Sequence, residues 1–135
     1  MNIILCLDDG NGILFNNRRL SRDEEVCSSI LELAKACRLR MNAYSAKMFS
    51  GFDIIISEKF LQEAEPGDFC FVEDVDITPY RNQAEKVYVY RWNRKYPADR
   101  YVTDEILGNL KSVIAEFPGK SHSNITLEVY SNEEK

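Results

Sequence analysis

Met1-Asn2-Ile3-Ile4-Leu5-Cys6-Leu7-Asp8-Asp9-Gly10-Asn11-Gly12-Ile13 is the stretch whose reading decides the fold. An apolar run of strand length stops at two carboxylates and a Gly-Asn-Gly turn, the pattern of a fully buried strand that breaks into a loop over the edge of a sheet. In open α/β sheets that edge is where ligands are held. The run has no basic flank and meets Asp8 and Asp9 at once, so it does not read as a signal peptide, and no stretch has the ~20 apolar residues that a membrane span needs.

Downstream, Asp8 to Leu20 reads as a long loop carrying Gly10, Gly12 and the pair Asn16-Asn17. Loops of this length usually bind something or move. Asn16, Asn17, Arg18, Arg19 and Arg22 crowd it, which suits either recognition of phosphate or carboxylate by an arginine or a solvated surface. Ser21 and Glu24 form a capping box, and Val26, Ile30, Leu33 and Cys37 mark the apolar face of a helix over 23–37. Arg38 to Met41 reads as a short strand, Ser45 as the cap of a turn over 46–49, and Phe52 to Ile56 as a strand. Ser57 caps a helix with Phe60, Leu61 and Ala64 inward, which Pro66-Gly67 stops.

Phe69 to Val72 repeats the opening pattern, a buried strand ending in the acids Glu73, Asp74 and Asp76. Thr78-Pro79 starts a short helix to Ala84, and Lys86 to Tyr90 is a strand rich in aromatic and β-branched residues. A turn at Pro97-Ala98-Asp99 and a short helix over 104–110 lead to strands over 112–117 and 125–130, which close as a hairpin. The tail 131–135 is polar and frays. Strands alternating with helices before a closing hairpin predict a single α/β domain over 1–135. Its sheet is parallel in the centre and antiparallel at the C-terminal margin, with helices on both faces.

The 135 residues, 44% hydrophobic and 29% charged, are enough for a core without disulfide or metal staples. A net charge of -5 and a pI near 5.0 oppose a nucleic-acid partner. Arg91-Trp92-Asn93-Arg94-Lys95-Tyr96, where cations alternate with aromatics as in single-strand binders, is the best candidate for a local basic patch; a solvated strand end or loop is the alternative. Cys6, Cys27, Cys37 and Cys70 form no CxxC, and Cys6 and Cys70 lie in apolar runs, so free thiols in a reducing cytoplasm are expected. His122 is the only histidine, which excludes zinc hydrolases built on histidine clusters; in its hairpin turn it reads as structural or solvated.

With the elements in this order, the chain resembles dihydrofolate reductase over nearly its whole length. Gly12-Ile13 resembles the start of that family, and Arg40-Met41-Asn42-Ala43-Tyr44-Ser45 its Met-Gly-Arg-x-Thr turn, which grips cofactor phosphate. Ala84 to Val89 is similar to the strand before its polar turn, Asp99-Arg100-Tyr101-Val102 to its Asp-x-Phe-Pro, and Leu110 to Phe117, Ser121-His122-Ser123 and Leu127-Glu128-Val129 to its closing hairpin. The chain is shorter between Ile56 and Phe69, where one helix replaces a strand, a loop and a helix near the adenine end of the family's cofactor. The mobile loop's Pro-Trp has no counterpart. The resemblance implies a cleft bordered by Leu7, Asp8, Gly12, Ile13, Asn42, Ser45, Glu73, Asp74 and Tyr90, with Asp23 near the substrate-binding carboxylate.

The departures fall on the chemistry. Asn42 stands for the glycine that lets backbone close on pyrophosphate, Ala43 for the phosphate-pairing arginine, Glu73-Asp74 for Gly-Gly, and Tyr90 for a threonine. Ser45 alone keeps a hydroxyl at a helix start, where anions bind. Asp23 is either a carboxylate for a protonated ring or a first-turn acid serving the helix dipole. If the first and fourth strands are parallel neighbours, Asp8, Asp9, Glu73, Asp74 and Asp76 share one edge. A phosphate there is repelled unless a divalent ion intervenes, which disfavours free NADPH and favours an amine-bearing ligand or Mg2+ with a phosphorylated one; solvated strand-end acids are the plain alternative. The expectation is a cytoplasmic small-molecule-binding protein with a degenerate reductase site. An NAD(P)H-dependent reductase of the dihydrofolate or riboflavin-pathway type and a protein-interaction domain are the alternatives. The sequence names no ligand, reaction or oligomeric state.

Overall fold

A computed structural model describes residues 1–49 and 53–132. In chain order the elements are β1 (Asn2–Leu7), β2 (Gly12–Phe15), β3 (Arg18–Arg19), α1 (Glu24–Leu33), β4 (Leu39–Met41), α2 (Ala43–Ala46) running into a 3-10 turn (Lys47–Phe49), and β5 (Ile55–Ile56). They continue with α3 (Phe60–Glu63), β6 (Phe69–Phe71), a 3-10 helix (Thr78–Gln83), β7 (Lys86–Arg91), β8 (Arg100–Tyr101), α4 (Asp104–Leu107), β9 (Leu110–Phe117) and β10 (Ile125–Ser131). Phe52 and residues 133–135, expected to start a strand and to fray, lie outside the described residues.

The opening strand sits inside a seven-stranded sheet of order β5-β4-β6-β1-β7-β10-β9. β1 is parallel to β6 and β7, and β4 is parallel to β5 and β6, whereas β10 runs antiparallel to β7 and β9. This is the expected parallel centre with an antiparallel C-terminal hairpin. Both faces of β1 are covered, so its apolar run needs no alternation. On one face Leu5, Leu7, Val87 and Val89 pack with Phe60, Leu61, Ile77 and Leu107; on the other Ile4, Tyr90 and Leu127 pack with Val26, Ile30 and Phe49. A ten-residue helix is marginal alone, and burying Val26 and Ile30, about 1.5–3 kcal/mol each, holds α1 in place.

Several boundaries differ from the sequence expectation. The supposed loop 8–20 contains β2 and β3, which pair around Asn16-Asn17, both at positive φ (50° and 60°); β8 adds to β2 and makes a second, three-stranded sheet. Asparagine tolerates that backbone region, which two-residue hairpin turns require. Helix α1 begins after Asp23 rather than at a Ser21 capping box, because the Asp23 carboxylate, on extended backbone (φ -153°, ψ 132°), accepts the N–H of Glu25. It ends at Leu33, and Cys37 is exposed rather than on the apolar stripe. Asn42, not Ser45, caps α2, its side-chain oxygen accepting the Ser45 N–H at 3.1 Å. The segment after Thr78-Pro79 is 3-10 rather than α, and α4 stops at Gly108, whose φ of 132° a helix cannot continue.

Candidate functional site

The carboxyl ends of β1 and β6 do emerge side by side, but their acids go to different partners. Asp8 is buried and folds its own loop. Its Oδ1 accepts the N–H groups of Gly10 (2.9 Å) and Gly12 (2.7 Å), and its Oδ2 accepts that of Tyr96 (3.1 Å). Gly12 permits this closure, since a Cβ there would stand 2.7 Å from the Ala98 Cβ and 2.9 Å from Asp8 Oδ1. Leu7 is fully buried in the core, whereas Ile13 is half-buried and borders a groove.

Glu73 is clasped across the crevice. Arg19, on β3, donates from Nε to Oε2 (2.9 Å) and from Nη2 to Oε1 (3.0 Å), and Ser45 Oγ donates to Oε1 at 2.8 Å. The Arg19 guanidinium lies 4.3 Å from the centre of the Tyr44 ring, and the Arg19 backbone N–H donates to the Tyr44 hydroxyl. A bidentate arginine–carboxylate pair of this kind is strong and geometrically exacting. Asp74 accepts from Asn42 Nδ2 at 2.8 Å. Asp76 accepts the backbone N–H and hydroxyl of Thr78, which lower its pKa. Tyr90 is fully buried, with its hydroxyl 2.7 Å from Ser29 Oγ; burial pushes the phenol up.

Asp23 is enclosed, its side chain 0% exposed. Its Oδ1 accepts from Glu25 N and Lys120 N (2.9 and 3.0 Å), its Oδ2 from Ser121 N and His122 Nδ1 (2.8 and 3.0 Å). Burial works to raise its pKa, but the His122 bond and the three backbone N–H groups outweigh it and hold the carboxyl well below the usual range. All four acceptor positions are therefore taken by the chain itself, and Asp23 presents none to a ring in the cleft.

One open space lies beside Glu73. A groove of about 350 Å³ runs between 73–78 and the small sheet, bordered by Ile13, Asp74, Val75, Asp76, Arg100 and Tyr101. Among the described residues no group of three or more His, Cys, Asp or Glu side chains converges as metal ligands, and no helix is long and apolar enough to cross a membrane.

Sequence reasoning missed Arg19 as the partner of Glu73, and it missed the joining of Asp23 to His122. For the first there was a signal: a glutamate in place of a glycine inside a crevice needs a cation, and the nearest crowd of arginines is 18–22.

No family model matches the chain, and no curated protein matches it in sequence. Among solved structures it is similar to a dihydrofolate reductase from Enterococcus faecalis, determined in complex with NADP(H) and RAB-propyl. The TM-score is 0.63 at 10% identity, over 98% of this chain and 96% of that one. The fold is that of dihydrofolate reductase. Identity this low carries the architecture alone, so the chemistry of the cleft is read from the residues in it.

Proposed function

We propose that this chain is a small-molecule-binding protein on a dihydrofolate reductase-like scaffold, that it takes an amine-bearing organic ligand in the groove beside Glu73, and that it does not reduce pterins with NADPH. The observation that carries this reading is the clasp of Arg19, Glu73 and Ser45. It engages the Ser45 hydroxyl and neutralises the nearest guanidinium, and it crosses the crevice where the resemblance would lay a dinucleotide. The residues present do not fit that cofactor. Ala43 offers no cation, Asn42 and Glu73 bring side chains where close backbone approach would be needed, and Asp74 and Asp76 line the adjoining groove and would repel phosphates by like charge.

The same groove suits a ligand of opposite sign. Asp74 and Asp76 supply acceptors for an ammonium group, against the single cation Arg100, and Ile13, Val75 and Tyr101 supply an apolar wall. Its volume is at the small end of the ~300–1,000 Å³ typical of ligand pockets.

Isothermal titration with spermidine, Mg2+ and NADPH separately tests the proposal. Spermidine is expected to bind, and Asp74→Asn with Asp76→Asn to weaken it about tenfold, near 1.4 kcal/mol. NADPH absorbance is expected to stay constant with a panel of pterins. Binding of NADPH in metal-free buffer would defeat the reading and restore the reductase.

A further inference from the structure

Ser21, His122 and Asp23 stand in one hydrogen-bonded line at the start of α1, and this line is independent of the groove. Ser21 Oγ is 3.0 Å from His122 Nε2, and His122 Nδ1 is 3.0 Å from Asp23 Oδ2. The hairpin turn over 118–124 brings them together by folding its backbone around the Asp23 carboxylate. Gly119 makes the close approach feasible, because a Cβ there would meet Asp23 Oδ2 at 2.4 Å.

The partners decide the tautomer. An ionised carboxylate only accepts, so the bond at Nδ1 needs a proton on that nitrogen; when the ring is neutral, Nε2 then carries the lone pair that faces Ser21. The ring is also held still: its side chain is 3% exposed, and Trp92 stacks on it at 4.5 Å and 25°. An oriented imidazole between a buried aspartate and a hydroxyl is the arrangement that removes a serine proton.

Ser21 is half-buried and borders a small gap with Arg22, Cys27 and Met48. Those three residues also line an adjoining recess of about 180 Å³, whose walls include Leu31 and Phe49. The recess is large enough for a short acyl chain, and Arg22 lines both it and the gap beside Ser21. Tyr96 competes, its hydroxyl lying 2.9 Å from the same Nε2.

We propose that Ser21 is a nucleophile, with His122 as its base and Asp23 as a positioning residue, and that this chain cleaves short-chain acyl esters. Ser21 Oγ forms a bond to the acyl carbon while its proton moves to His122 Nε2. The C–O bond to the leaving alkoxide breaks, and the leaving oxygen takes the proton from Nε2. Water, deprotonated by the same nitrogen, then attacks the acyl-serine, releasing the carboxylic acid and restoring the Ser21 hydroxyl.

The test uses the full chain with 4-nitrophenyl acetate and, separately, a fluorophosphonate probe followed by peptide mass mapping. The expected result is release of 4-nitrophenolate above the buffer rate and a single adduct on Ser21, both abolished in Ser21→Ala. His122→Gln should slow adduct formation by about 100-fold or more, the range of general-base catalysis. Asp23→Asn, assayed under conditions where Trp92 emission reports folded protein, should lower kcat at unchanged KM. Should the His122 variant fail to fold, Tyr96→Phe replaces it: with the competing hydroxyl gone, it should label at least as fast as the parent. The proposal is overturned if Ser21→Ala hydrolyses as fast as the parent, if adducts spread without preference over other serines, or if Tyr96→Phe labels more slowly.

Discussion

Replacing Asp23 by Asn probes the junction between α1 and the closing hairpin. The carboxylate accepts four hydrogen bonds of 2.8–3.0 Å, three from backbone N–H groups and one from His122. Asparagine keeps one carbonyl oxygen and turns an NH2 towards Ser121 N–H and His122 Nδ1; the imidazole can accept that NH2 by carrying its own proton on Nε2, but the Ser121 N–H loses its charged acceptor without replacement. At about 1.5–3 kcal/mol for a hydrogen bond to a charged group, the expected loss is about 2 kcal/mol. Against a total of about 5–15 kcal/mol that is a large fraction. Urea unfolding followed by Trp92 emission measures it at the right place, since Trp92 is the only tryptophan and stacks on His122. The acid limb gives a second reading. A carboxylate whose folded pKa is depressed contributes stability above its unfolded value, ~3.9 for Asp, and loses it as pH falls through the folded value. Parent stability should therefore fall from about pH 5 downward, and the Asn variant should lack that part of the slope. A loss under about 1 kcal/mol, too small for a lost charged bond, or an unchanged acid slope would refute the reasoning.

Gly119→Ala should cost about 2–3 kcal/mol in the same urea assay, because its Cβ would press on Asp23 Oδ2 and on Ile125 Cδ1, 2.8 Å away. For the clasp, Arg19→Ala should cost about 3 kcal/mol and Glu73→Gln only about 1, since Glu73 is 6% exposed and would be left charged and underpaired while Arg19, at 21%, can reach water; equal costs would count against this account. Iodoacetamide followed by intact mass should modify exposed Cys37 first. Cys70, pushed up to about 12 by burial and then by Asp68, and Cys6, raised by burial and then by Glu73, should react only on unfolding.

How far the fold was legible depends on where each deciding contact lies in sequence. β1 and β6 could be read because burial on both faces leaves an unbroken apolar run, and the closing hairpin because two β-rich runs flank a turn. The small sheet has a local signal in Asn16-Asn17, a pair that tolerates the positive φ of a two-residue turn, but the same residues also suit a plain loop. The caps were ambiguous for a different reason. Ser21 and Asp23 are both good cap residues, and what gives the role to Asp23 is the extra set of donors at 120–122, about a hundred positions downstream. The Arg19–Glu73 pair is likewise made across 54 positions. Shared strand ends could be inferred for Asp8 and Glu73; the partner each would choose could not, because charge pairing follows from three-dimensional proximity and not from periodicity.

The architecture is that of a dihydrofolate reductase at 10% identity. A sheet core asks only for apolar side chains of suitable volume on each face, and many sequences meet that demand. The crevice asks for more particular partners: it carries Glu73 and a serine bonded to it. Each acid brought to the carboxyl edge then has to be satisfied, or its burial would cost more than the fold could bear. Arg19 does this for Glu73. For Asp23 the chain supplies Lys120 N–H, Ser121 N–H and the His122 imidazole. Its donors are thus built into the hairpin turn, so the acid secures the fold, and the imidazole it orients is left pointing its second nitrogen at Ser21.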